Sequence, residues 1–179
     1  MLSTQFFTRV QLAKILGYKS DGFLKDFEKK RFLIPQIKPS KFTFNQVLFM
    51  MICKEIINST NLSWKDFIDA KFNTVLKENL IDFKLLLLYQ YRNTNQPELI
   101  LSKDEAIARN LRNFLDGDLL DDVSKIKNRE NITYESIPSF LFYRDTDYDL
   151  IIFSIDRIYQ KLHNKCTELK IDLREKILA

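Results

Sequence analysis

The first 58 residues are punctuated tightly enough to prescribe an order of elements. The chain of 179 residues has only three glycines and four prolines, and Gly17, Gly22, Pro35 and Pro39 all fall in this stretch. Thr8 can N-cap a run in which Val10, Leu12, Ile15 and Leu16 keep roughly helical spacing. Gly17 follows where a helix C-cap wants a left-handed residue. Ser20 or Asp21 can cap a second helix with Phe23, Leu24 and Phe27 on its buried side. That helix must end before Pro35, because proline disfavours helical backbone in the residue preceding it. Leu33 to Phe42 hold two prolines and alternate weakly, which suits a small hairpin. Thr43 then caps an apolar helix from Phe44 to about Ile57. The order is helix, turn, helix, hairpin, helix, with Leu12, Ile15, Leu16, Leu24, Phe27, Leu33, Val47 and Ile52 expected in one small core. Asn58-Ser59-Thr60-Asn61 is a polar break, which places a domain boundary between residues 1–58 and 59–179.

Charge divides the chain at the same place. Residues 1–58 carry ten Lys or Arg against four Asp or Glu, and residues 59–179 carry eighteen against twenty. The net charge of +4 therefore originates in the first third. Such asymmetry suits an anionic partner, although a merely solvated surface accounts for charge alone equally well.

Beyond the break the pattern changes. Ser63 opens an amphipathic helix through Trp64, Phe67, Ile68, Phe72, Val75 and Leu76. Phe83 to Tyr91 reads as a strand, though its leucines also suit a helix, and Leu99 to Leu101 is a short partner after the turn Arg92 to Pro97. Ser102 with Glu105 resembles a capping box opening a helix to about Phe114. Ser139 to Tyr143 and Leu150 to Phe153 bracket Arg144-Asp145-Thr146-Asp147 as a hairpin. A final helix spans about 156–178. Its seam of Ile155, Ile158, Leu162, Cys166, Leu169 and Leu173 has nearly coiled-coil spacing, which points to a dimer interface or to packing in cis. No internal repeat is evident. The expected fold class is helix-rich α+β: an N-terminal winged helix-turn-helix, a small mixed α/β domain and a long C-terminal helix.

Several function classes are excluded. The three glycines do not form a phosphate-cradling loop, whose backbone amides must approach the oxygens closely. One histidine and two distant cysteines cannot supply a four-ligand zinc site, and they make a Cys–His nucleophile pair a poor fit. Two cysteines give no disulfide framework. The chain lacks a signal peptide's apolar run, and no stretch reaches the ~18 apolar residues of a membrane span. A soluble cytoplasmic protein with no cofactor and no membrane contact is expected.

The residues that carry function lie at the start. Phe7-Thr8-Arg9-Val10-Gln11-Leu12-Ala13-Lys14-Ile15-Leu16-Gly17, then Phe23-Leu24-Lys25-Asp26-Phe27-Glu28, Leu33-Ile34-Pro35 and Lys41-Phe42-Thr43-Phe44-Asn45-Gln46-Val47 follow one another as the first helix, recognition helix, wing start and wing exit do in a known family. This third of the chain is similar to the DNA-binding domain of the MerR superfamily (mercury-resistance-type regulators), a winged helix-turn-helix. The chain departs from the family in an extra residue after Gly17, in Arg31 where a glycine usually ends the recognition helix, in Asp26 and Phe27 at the two tyrosine positions, and in a shorter wing. The resemblance implies a recognition-helix and wing geometry but transfers no base contacts.

With Leu24 and Phe27 buried, Ser20, Lys25, Lys29 and Lys30 are expected to face double-stranded DNA. Lys38 and Lys41 would flank the hairpin, and Arg9 would meet the phosphate backbone. The reading is a non-enzymatic, sequence-specific transcription regulator, repressor or activator, acting as a homodimer, as the resembled family does. An excisionase-like or replication-control factor of a mobile element is a close variant. From another class, a metal-dependent nuclease or recombination enzyme would dock through the basic domain and hold Mg²⁺ with acids such as Asp145, Asp147 and Asp149, which alternate along one face of a strand. Nicking of plasmid DNA with Mg²⁺ separates the two. Turn chemistry is the blander account of those aspartates, as a solvated loop is for Asp116 to Asp122. His163 reads as surface or interface, and the aromatics as core.

Overall fold

The computed structural model describes residues 5–91, 97–103, 140–144 and 148–173. It is helix-rich α+β, with an N-terminal helical region, central β structure and a long C-terminal helix. The chain forms two compact units, one of Met1–Leu80 with Asp156–Ala179 and one of Ile81–Ile155.

The first unit is built on a recurring local device. Strand β1 (Phe6–Thr8) runs directly into helix α1 (Arg9–Ile15), and β2 (Lys41–Thr43) runs directly into α3 (Phe44–Ser59). Each strand ends on a threonine whose hydroxyl accepts the backbone N–H three residues on, from Gln11 at 3.2 Å and Gln46 at 3.3 Å. Each glutamine reciprocates, its Oε1 accepting the threonine N–H at 2.8 and 3.0 Å. Two otherwise orphaned amides are thereby satisfied at each helix start. The two strands pair antiparallel with Phe7 opposite Phe42, both fully buried. Thr43→Ala is expected to cost about 1 kcal/mol, read as a lowered urea midpoint at unchanged slope, with the same effect at Thr8→Ala.

Between these devices α1 ends on Gly17, whose φ of 78° is the left-handed turn expected there, and α2 (Gly22–Lys29) follows. The arrangement is helix-turn-helix-like. All eight expected core residues, from Leu12 to Ile52, are buried at 5% exposure or less. Arg31, at φ 55°, adopts the left-handed conformation that glycine supplies elsewhere, and its carbonyl accepts a hydrogen bond from Asn73 Nδ2 at 3.1 Å.

The hairpin expected over Leu33 to Phe42 does not form. Its only pairing is one bridge, Ile37 to Lys41, while the next residues join β1 instead. Pro35 and Pro39 bring no N–H to a ladder, and Phe42 is drawn to Phe7.

The polar break near residue 58 does not end this unit. Trp64 packs on Phe27 with ring centroids 5.1 Å apart, and its indole N–H donates to the Tyr18 hydroxyl at 3.0 Å. Asn45 on α3 donates to the Glu78 carbonyl and accepts from Leu80 N–H, both at 2.8 Å. Those contacts carry the unit to Leu80. The helix expected from Ser63 through Leu76 is interrupted. Helix α4 covers Trp64–Asp69, Lys71 turns left-handed at φ 54°, and a 3-10 helix covers Phe72–Lys77. A continuous helix would set Phe67 and Phe72 roughly 140° apart at about 100° per residue; the break lets both be buried and stack at 4.7 Å.

Helix α5 (Ile155–Glu168) stops ten residues short of the expected end, where Lys170 turns left-handed at φ 56° and Ile171 N–H closes onto the Cys166 carbonyl at 2.8 Å. This six-to-one closure is a Schellman stop made without glycine. From Asp156 on, α5 belongs to the first unit, where Tyr159 meets Phe44 at 5.7 Å and Lys161 pairs with Glu55.

The second unit is a four-stranded antiparallel sheet in the order β4–β3–β6–β5, with β3 at Leu85–Tyr91, β4 at Pro97–Ser102, β5 at Phe140–Arg144 and β6 at Tyr148–Ser154. The expected strand, its short partner and the hairpin are all present. Leu85 to Leu88 are consecutively buried, as in a central strand covered on both faces, where apolarity outweighs leucine's modest β preference. The helix expected after Ser102 and the acidic loop Asp116 to Asp122 lie outside the described residues.

Candidate nucleic-acid interface

Helix α2 is amphipathic because its apolar positions, Leu24 and Phe27, are three apart and both buried. Its outward side carries exposed Lys25 and Lys29 with Asp26 between them, and Lys19 and Ser20 just before the helix and Lys30 and Arg31 just after it are exposed as well. Lys29 and Asp26 approach at 3.8 Å with both side chains largely in solvent, a pair worth little. Lys38 and Lys41 are exposed in the turn that replaces the hairpin. Between Glu28 and Glu55 the chain has six Lys or Arg and no acid. Lys19 and Arg31 were not among the residues expected from sequence, although for Arg31 the run Lys29-Lys30-Arg31 was signal enough.

Arg9, expected to meet the phosphate backbone, is engaged within the protein. Its guanidinium grips Glu28 with two bonds, Nε to Oε1 at 2.9 Å and Nη2 to Oε2 at 3.1 Å. Asp21 lies 3.9 Å from Nη1, and the Ser40 hydroxyl bonds both Arg9 and Glu28. A guanidinium already matched to a carboxylate in this way is occupied within the protein. Arg9 bolts the start of α1 to the end of α2 and to the turn after Pro39.

The turn itself is braced from a second side. Gln46 is buried, and while its Oε1 caps α3 its Nε2 donates to the Ile34 carbonyl at 2.6 Å. Lys41 N–H donates to Ile37 O at 2.8 Å, and Gln36 N–H to Lys41 O at 3.0 Å. Residues 36–39 are left as an exposed tip, with the Lys38–Pro39 peptide cis.

The seam expected to join two copies is filled within one chain. Ile155, Ile158, Leu162 and Cys166 are at most 1% exposed, and Leu169 and Leu173 are half-buried. An amphipathic helix finds its apolar complement in its own unit more readily than in a second molecule.

Catalytic candidates gain nothing from the geometry. Burial pushes the Cys53 thiol up and the Cys166 thiol to about 11, which keeps both protonated near neutrality. Among the described residues no group of three His, Cys, Asp or Glu could hold a metal ion, and no helix is long and apolar enough to cross a membrane. Asp145 and Asp147 lie outside the described residues; Asp149, on β6, is in register with Gln90 and Arg144. His163 is half-buried on α5, its carbonyl accepting from Thr167. The aromatics expected as core form ring contacts that link Tyr18, Phe23, Phe27 and Phe32 to Trp64. No protein-family model matches the chain, and no curated protein matches it.

Proposed function

We propose that the first unit is a DNA-reading head of MerR-like type and that the protein is a non-enzymatic, sequence-specific transcription regulator. The observation that carries this is the outward side of α2. It follows a tight helix-to-helix turn, buries Leu24 and Phe27, and leaves Ser20, Lys25, Lys29 and Lys30 exposed beside a turn bearing Lys38 and Lys41. A helix offered in this way suits the major groove, with flanking cations on phosphates fixing register. Arg31 adds support, since its left-handed backbone makes the family's glycine position equivalent in conformation. The regulator acts as a homodimer, because one small head covers too little DNA for strong operator specificity. The surface that joins the copies lies away from the filled α5 seam.

Salt-titrated binding to DNA selected from a random pool tests the reading. The Lys25→Ala, Lys29→Ala double variant is expected to bind roughly tenfold more weakly and to flatten the log–log salt slope by about two. Lys65→Ala and Lys170→Ala, at exposed positions elsewhere, are expected to leave both unchanged. Equal behaviour of the two sets, or no retention of DNA by the wild type, overturns the assignment.

A further inference from the structure

Two large apolar side chains are exposed in the most basic part of the chain, Ile34 at 56% and Ile37 at 42%. Ile37 lies in the exposed tip of residues 36–39, with Lys38 next to it and Lys41, the first residue of β2, paired with it across the single bridge, both lysines in solvent. Nothing acidic lies between Glu28 and Glu55. A surface that docks another protein is depleted of lysine at its centre; here the apolar side chain is framed by cations, which complements a polyanion. The tip is also held in place before any partner arrives. Gln46 fixes the Ile34 carbonyl on one side, and the Arg9–Glu28 pair holds Ser40 on the other.

We propose that this tip is a minor-groove wedge: Ile37 enters between two base pairs of bound DNA while Lys38 and Lys41 rest on the flanking phosphates, kinking the duplex. The proposal rests on the DNA-reading function above and adds a deformation of the target to it. Isoleucine and proline are both side chains that architectural proteins use to part a base step, which bends DNA by roughly 20–90°. A tip braced at both ends loses little conformational freedom on insertion. Flexible pyrimidine–purine steps are the easiest to open, so the wedge contributes sequence preference at a position where no base edge is read.

The test uses the full chain and a pool of duplexes with a central TA step carrying 2-aminopurine, randomised on both sides and labelled at the ends for energy transfer. The wild type is expected to retard the pool, raise 2-aminopurine emission and shorten the end-to-end distance. Ile37→Ala is expected to bind within about threefold of wild type yet lose most of the emission gain, while Ile37→Phe keeps it. Lys38→Ala is expected to lower the salt slope by about one. Wild-type binding with no gain in emission, or an equal gain with Ile37→Ala, overturns the wedge and leaves DNA reading standing. No retention of the pool by the wild type overturns both. If Ile37→Ala halves the sedimenting mass of the free protein, the tip is a self-association surface and the wedge fails.

Discussion

Leu162→Asp is expected to unfold the first unit. Leu162 is fully buried on α5, between Tyr159, which meets Phe44, and Cys166, itself fully buried. An unpaired carboxylate there has no partner and no water, and the expected loss exceeds about 4 kcal/mol. Against a domain stability on the order of 5–15 kcal/mol, much or all of the folded population disappears. Far-UV circular dichroism loses helix, and the DNA binding proposed above falls with it although the substitution lies far along the chain from α2. Were α5 a seam between copies, the same substitution would halve the sedimenting mass and leave the helical signal intact, so the two measurements together decide between packing in cis and across a dimer.

Phe27→Ala is expected to cost about 3–5 kcal/mol. Phe27 is buried on α2 with its ring 5.4 Å from Phe23, 5.6 Å from Phe32 and 5.1 Å from Trp64. Truncation removes the side chain on which α2, the loop after it and α4 converge. The chain's single tryptophan reports the change directly, with emission shifting to the red as water reaches Trp64. A loss below about 1 kcal/mol with an unshifted spectrum would mean that α4 does not pack on α2 in solution.

Most of the first unit was legible because its signals are local. Thr8, Gly17 and Thr43 act through hydrogen bonds or backbone dihedrals within a few residues, and Leu12 to Ile52 follow helical spacing into one core. A stronger local signal went unread. Phe-Thr-x-x-Gln occurs twice, at Phe7 to Gln11 and Phe42 to Gln46, and its two copies form the paired strands and their capping boxes. What sequence could not supply were the non-local contacts. Nothing near residue 58 announces that Asn45 will hold Glu78 and Leu80, or that Trp64 will reach Phe27. The left-handed turns at Arg31, Lys71 and Lys170 were equally silent, because tertiary contacts impose them on residues with no preference for that conformation. In the candidate interface, the exposed lysines of α2 followed from the buried positions beside them. Arg9 did not, since its partner Glu28 lies on another helix.

The way the second unit begins and ends has a consequence for the first. Leu85 and Ser154 are partners across adjacent strands, and Ile155 N–H donates to the Lys84 carbonyl at 2.9 Å. Ile81–Ile155 therefore leaves and rejoins the main chain at neighbouring points, as an inserted module does. While the sheet is folded, α5 is tethered to the rest of its unit by what amounts to a short loop. If the sheet melts, the tether becomes a long flexible one, and at about 0.6 kcal/mol per doubling of loop length the docking of α5 weakens by roughly 2 kcal/mol. The sheet thus acts as an entropic clasp: the integrity of the inserted module feeds into the stability of the unit that bears α2 and its exposed lysines, through the statistics of chain closure alone.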